Sequence, residues 1–124
     1  MTRPRIAALL LLLAGTAAAR QDAPRRIRFA RGATSAVVES SVLRGERDRY
    51  VVGARAGQRL QLTLTSLENN AVFQVDAPGG RPLPGAAGEL KRWSGVLPAT
   101  GDYAVTVGGT RGNATYRLAV SVRP

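Results

Sequence analysis

The side chains in this sequence that could do chemistry are arginines and carboxylates. There is no histidine and no cysteine, so the commonest general base, the thiol nucleophile and the usual zinc ligands are all missing. Carboxylates can work as an acid and base pair, but here they stand beside basic residues in turn-like runs, Glu46-Arg47-Asp48-Arg49 and Glu89 close to Lys91 and Arg92. Surface ion pairing accounts for them. The Asp and Asn residues lack the spacing of a calcium loop. Gly79-Gly80 and Gly108-Gly109 precede no helical pattern that could cradle a phosphate. Neither catalysis nor a cofactor or metal is expected. What remains is the guanidinium. Every basic residue except Lys91 is arginine, and Arg111 stands alone in Gly108-Gly109-Thr110-Arg111-Gly112-Asn113. Its charge is permanent, and its planar fork matches a carboxylate through two parallel hydrogen bonds. Glycines on both sides let the backbone come close to a partner. This is the chemistry of recognition.

Two alternating runs hold that segment. Tyr103, Val105 and Val107 alternate with Ala104 and Thr106; Tyr116, Leu118, Val120 and Val122 alternate with Arg117, Ala119 and Ser121. A period of two marks strands with one face on a core and one in water, so Arg111 belongs to a hairpin tip. The same period recurs upstream. Ile27 and Phe29 share a face in a short first strand over Arg26 to Ala30, and Ser35 to Leu43 reads as a longer one. Gly45-Glu46-Arg47-Asp48 is a charged turn, followed by a strand over Tyr50 to Ala54. Arg59 to Thr65 alternates most cleanly, with Leu60, Leu62 and Leu64 on one face. Ala71 to Asp76 turns Phe73 and Val75 inward. The Pro- and Gly-rich run from Pro78 to Gly88 reads as a loop, and Glu89 to Leu97 as a strand with Trp93 and Leu97 on one face. About eight short strands with turn signals between them predict an all-β chain folded as an antiparallel β-sandwich.

The N-terminus is set apart. Arg3 and Arg5, the apolar run Ile6 to Ala14 and Ala17-Ala18-Ala19 have the order of a secretory signal peptide, so residues 1–19 are expected to be cleaved. Residues 20–25 read as a disordered leader and 26–124 as the single domain. No later stretch is apolar enough to span a bilayer. An exported domain without cysteines fits a bacterial envelope, periplasmic or secreted. The formal charge is +10, and loss of Arg3 and Arg5 with the signal leaves +8. That sign attracts anionic partners, but outside Arg25 to Arg31 the arginines are scattered, as on a solvated basic surface. Nucleic acid is not expected as a partner. Single-strand binders expose aromatics for stacking, whereas Trp93, Phe73, Tyr103 and Tyr116 take the inward phase of their strands.

Four segments carry a family resemblance: Arg28 to Ala36 (R-F-A-R-G-A-T-S-A), Asp48 to Leu60 (D-R-Y-V-V-G-A-R-A-G-Q-R-L), Gly95 to Val107 (G-V-L-P-A-T-G-D-Y-A-V-T-V) and Ala114 to Val122 (A-T-Y-R-L-A-V-S-V). They resemble the bacterial periplasmic inhibitors of g-type (goose-type) lysozyme, which are related in architecture to pre-peptidase C-terminal (PPC) β-sandwich domains. The resemblance implies a sandwich that pushes a loop into the lysozyme's substrate cleft. It also implies two arginines four residues apart after the penultimate strand, and an aromatic from the turn after the second strand. Thr110-Arg111 matches the first arginine; Thr115 stands where the second is expected, and Glu46 where the aromatic is. The expected partner-binding residues are therefore Arg111, with Thr110, Gly112 and Asn113 on its tip and Glu46 and Arg47 on the neighbouring turn. Three functions follow for a monomeric, non-enzymatic binding protein. It inhibits a lysozyme, it is a stand-alone PPC-like module for an envelope polysaccharide or protein, or it is held electrostatically on an anionic cell-wall polymer.

Overall fold

The computed structural model describes residues 23–124; the expected signal peptide and the first half of the leader lie outside the described residues. Nine strands form two sheets: β1 (Arg25–Arg26), β2 (Ser35–Val42), β3 (Arg47–Ala54), β4 (Arg59–Ser66), β5 (Ala71–Ala77), β6 (Arg81–Pro82), β7 (Arg92–Val96), β8 (Gly101–Gly109) and β9 (Ala114–Arg123). One sheet has the order β1-β3-β8-β5-β6 and the other β2-β9-β4-β7. All pairings are antiparallel except β1 with β3. The fold is an all-β sandwich. Among the described residues no helix is long and apolar enough to cross a membrane.

The alternation read from the sequence decides which side chains meet between the sheets. Leu60, Leu62 and Leu64 from β4, Leu118 and Val120 from β9, Phe73 and Val75 from β5, Val52 from β3, and Tyr103, Val105 and Val107 from β8 are all buried. Each aliphatic or aromatic side chain moved from water into that layer contributes about 1.5–3 kcal/mol. The resemblance motifs are structural as well. In Leu97-Pro98-Ala99-Thr100-Gly101-Asp102-Tyr103, the Tyr103 hydroxyl donates to the Ala99 carbonyl at 2.6 Å and accepts from its N–H at 3.2 Å. A Cβ on Gly101 would stand 2.9 Å from Pro78. In Ala56-Gly57-Gln58, the Gln58 side chain accepts from the Arg55 N–H at 2.7 Å, and Gly57 takes the positive φ of 89° the turn demands.

Several boundaries move. β1 is two residues long, begins at Arg25 and stops before Ile27. Ile27 is buried and Phe29 packs against the core as expected, but they do so from irregular backbone. β3 starts at Arg47, so the charged turn is shorter than its composition suggested and Arg47 and Asp48 are strand residues. The strand expected from Glu89 shrinks to β7; Leu90 instead bonds to both backbone groups of Phe73 at 2.8 and 3.0 Å. Trp93 is half-buried at the sheet margin, with its indole N–H donated to the Pro84 carbonyl at 3.1 Å. The Pro- and Gly-rich segment contains β6 and a 3-10 turn at Pro78–Gly80. It buries Leu83 and Ala86, and Val75 donates to the Ala86 carbonyl at 3.2 Å. The segment therefore closes the edge beside β5.

A polar brace joins the sheets. Tyr116 on β9 donates to Asp48 Oδ2 at 2.5 Å, so Tyr50 on β3 must donate in the 2.5 Å contact between the two hydroxyls. Arg25 donates to the Tyr50 hydroxyl at 3.3 Å and stands 3.5 Å from Asp48 Oδ1. Burial, then the bond to Asp48 and the contact with Tyr50, push the Tyr116 phenol well above its ordinary range. A group that holds its proton more tightly folded than unfolded stabilises the fold below its unfolded pKa, about 10 for tyrosine, and the stabilisation is lost as pH rises past it. Tyr116→Phe is expected to lower stability by about 1–3 kcal/mol near neutrality, through the unpaired Tyr50 hydroxyl, and to flatten the alkaline loss. Urea midpoints measured against pH check both.

Candidate functional site

Strand directions decide which turns share an end. β8 runs toward the Thr110–Asn113 tip, β3 runs away from the same end, and Ser66 at the end of β4 faces Tyr116 near the start of β9. The β2–β3 turn, the β4–β5 turn and the β8–β9 tip therefore gather at one end, while the Pro98–Gly101 and Ala56–Gln58 turns lie at the other.

Asn70 holds the tip in place. It is the one buried polar residue among those described, 2% exposed. Its side-chain amide donates to the Asn113 carbonyl at 2.9 Å and the Arg111 carbonyl at 3.4 Å. Its own carbonyl accepts from the Thr110 N–H at 2.9 Å, and its N–H donates to Ser66 Oγ at 2.9 Å. On the other flank Asn113 Oδ1 accepts from the Arg44 N–H at 2.7 Å, tying the tip to the β2–β3 turn. The glycines have different tasks. Gly112 has φ 73°, which turns the chain. A Cβ on Gly109 would stand 2.6 Å from the Gly112 carbonyl oxygen, so only glycine lets the tip fold back this tightly.

Arg111 projects from this frame. Its side chain is exposed and donates to the Glu68 carbonyl at 3.1 Å. The ion pairs among the described residues are Arg25–Asp48, Arg26–Asp102 and Arg117–Glu39; none involves Arg111. Its guanidinium is steered by one neutral acceptor, the Glu68 carbonyl. Beside it Leu67 is 87% exposed, and a depression of about 620 Å³ runs from Leu67 to Thr115 and Arg117.

Of the six residues singled out in the sequence, Thr110, Arg111, Gly112 and Asn113 form the tip as expected. Glu46 is exposed on the β2–β3 turn. Arg47 is not a turn residue: it lies on the outer face of β3 opposite Gly108, where a Cβ would stand 2.7 Å from its Nη1. The bond from that turn to the tip comes from the Arg44 backbone instead. Thr115 is already in β9, where its hydroxyl bonds to Ser41 at 3.1 Å. In the sequence Asn70 shows only the turn-forming type of Glu68-Asn69-Asn70; its role depends on a hairpin some forty residues away. Among the described residues no group of three or more acidic, histidine or cysteine side chains could hold a metal.

Asn70→Asp, almost isosteric but with an acceptor oxygen where the amide nitrogen donates to two carbonyls, is expected to cost about 1–3 kcal/mol and to speed amide exchange at Thr110. Thermal unfolding and hydrogen exchange measure the two effects.

No family model matches the sequence, and no curated protein does. Solved structures match it closely. PliG of Aeromonas hydrophila, a periplasmic lysozyme inhibitor of g-type lysozyme, is 32% identical with a TM-score of 0.69, over 81% of this chain and 96% of that one. This chain belongs to the PliG inhibitor family. PliG of Salmonella Typhimurium, 21% identical, covers 81% of this chain and 97% of that one with a TM-score of 0.66. The PPC domain of a Bacillus anthracis collagenase, 15% identical, covers 82% and 98% with a TM-score of 0.61. At those identities the last two speak for the sandwich alone. The Aeromonas match, at 32% identity, extends to the family and reaches almost the whole length of that relative.

Proposed function

We propose that this protein is a non-enzymatic inhibitor of a g-type lysozyme, exported to the bacterial periplasm, that offers its β8–β9 tip to the enzyme's substrate cleft with Arg111 leading. The observation that carries the reading is a guanidinium without a carboxylate partner on a tip held by Asn70 and Asn113, in a chain of the PliG family. Glycoside hydrolysis of this kind needs a carboxylic acid in the cleft. A guanidinium brought there by a preformed loop can pair with it in bidentate fashion at little ordering cost. Exposed Leu67 supplies apolar contact beside the charge, the combination in which interface energy concentrates. Thr110, Gly112 and Asn113 share the tip with Arg111, and Glu46 on the β2–β3 turn and Arg47 on β3 are the supporting contacts of this reading.

The test is lysis of cell walls, followed by turbidity, with g-, c- and i-type lysozymes titrated by the mature protein. Selective protection against the g-type supports the proposal. The second reading, a PPC-like module without inhibition, draws on Thr115 standing where a second arginine would; it is favoured if all three enzymes lyse unimpeded while the protein still binds envelope material. A merely electrostatic wall binder would instead be released steeply by salt.

A further inference from the structure

A second charged site lies on the outer face of the first sheet. Arg47 and Arg49 on β3, Thr106 and Gly108 on β8, and Gln74 and Asp76 on β5 take the phase that alternates away from the core. Arg47 stands opposite Gly108, and Arg49 is in line with Thr106 and Gln74. With no side chain at Gly108, the middle strand is the floor of a trench of about 550 Å³. The Arg47 guanidinium lies over that floor, where a Cβ on Gly108 would stand 2.7 Å from its Nη1. Glu89 makes the far wall. The backbones of Phe73 and Leu90 exchange hydrogen bonds of 2.8 and 3.0 Å, and Leu90 packs against the core. Glu89, one residue earlier, is therefore turned outward beside Gln74.

The trench thus has two guanidinium groups on one side and two carboxylates, Asp76 and Glu89, on the other. None of the four is in an ion pair among the described residues. Distance is the reason. β8 separates β3 from β5, which puts two strand spacings, about 10 Å, between Arg49 and the β5 side chains. Opposite charges held apart in this way suit a ligand that carries both signs. A polyanion would meet Asp76 and Glu89. A sugar ring would find no aromatic face, since the one aromatic residue along the trench, Phe73, is buried in the core. An extended peptide reaches at most about 3.3–3.6 Å per residue, so three residues bridge the walls.

We infer that this trench binds the short stem peptide of the bacterial cell wall, in which an acidic residue is followed by a diamino acid. A carboxylate of the acidic residue seats on Arg47 and Arg49, whose guanidinium forks favour that group. The side-chain ammonium of the diamino acid reaches Glu89 and Asp76. Thr106 and Gln74 on the floor offer hydrogen bonds to the peptide between them. The inference rests on the envelope location in the proposed function and not on inhibition of a lysozyme.

Two measurements on the mature protein test it: co-sedimentation with purified cell-wall sacculi, and amide chemical shifts during titration with N-acetyl-L-Ala-γ-D-Glu-L-Lys. The tripeptide should move the Thr106, Gly108 and Gln74 amides. Arg49→Ala should weaken both kinds of binding about tenfold, and Glu89→Gln about threefold. Acetylating the lysine amine of the tripeptide should cost the parent about the same threefold and the Glu89→Gln protein nothing more. The direction of the Glu89→Gln effect is decisive, because removing a negative charge from a basic protein strengthens adhesion that is merely electrostatic. Arg111→Ala should leave both readouts unchanged, and Arg49→Ala and Glu89→Gln should leave lysozyme inhibition unchanged, so the two readings fail separately. The inference is overturned if the trench amides stay still at tens of millimolar tripeptide, or if the acetylated tripeptide binds the parent as well as the free one. It is equally overturned if sacculi leave the protein in the supernatant, or if Glu89→Gln tightens binding.

Discussion

Arg111→Ala is expected to weaken inhibition of g-type lysozyme by about thirtyfold or more, a loss of about 2 kcal/mol, while the fold is untouched. The two effects separate because of what Arg111 does in the free protein. It makes one exposed hydrogen bond, to the Glu68 carbonyl at 3.1 Å, which water replaces readily, so the thermal midpoint should answer to a change of no more than about 0.5 kcal/mol. The tip does not depend on it. The Asn70 amide, the Asn113 side chain and the tight approach at Gly109 set its backbone. Arg111→Lys sharpens the test, since it keeps the charge but loses the planar fork. A bidentate contact predicts a loss close to that of alanine; attraction by net charge alone predicts almost none. Inhibition that survives both substitutions would place the contact elsewhere on the molecule.

The largest effect on stability is expected from Leu62→Asp. Leu62 is 0% exposed, paired across β4 with Trp93 on one side and Val120 on the other. The substitution forfeits about 1.5–3 kcal/mol of apolar burial and puts a carboxyl where the side chains around it offer no donor, adding several kcal/mol more. A domain of this size has about 5–15 kcal/mol in all. The cooperative urea transition and the near-ultraviolet circular dichroism should therefore disappear. Leu67→Asp is the matched control. It is the same exchange five residues on, at a side chain 87% exposed, and it should leave the urea midpoint within about 0.5 kcal/mol of the parent. A stable Leu62→Asp protein would mean that β4 turns its other face inward.

These two leucines mark where local pattern suffices. Alternation at a period of two is a property of a few adjacent residues, and it assigned Leu60, Leu62, Leu64, Phe73, Val75, Tyr103, Val105 and Val107 to the core. At margins a neighbouring segment decides the outcome. Trp93 keeps the inward phase and packs against the core, but it lies on a short edge strand, so it is only half-buried and its indole covers Gly95 and bonds to Pro84. Asp48 reads as a turn carboxylate, but β3 begins one residue before it, and it accepts the Tyr116 proton between the sheets. Arg25 reads as leader, but its guanidinium lies over the Tyr50 ring, 5.0 Å from the centroid.

By itself the sequence determined the strand faces, the hairpin and the presence of one arginine between glycines at its tip, because each depends on residues next to one another in the chain. The strand order, and with it the company Arg111 keeps, belonged to the tertiary structure. Antiparallel pairing of β8 with β3 and of β4 with β9 brings Arg44 and Asn70 to that tip from distant points of the chain, and it leaves β2 with an unpaired edge. No local pattern encodes such meetings, since hydrogen bonds across a sheet join residues by register and not by sequence distance.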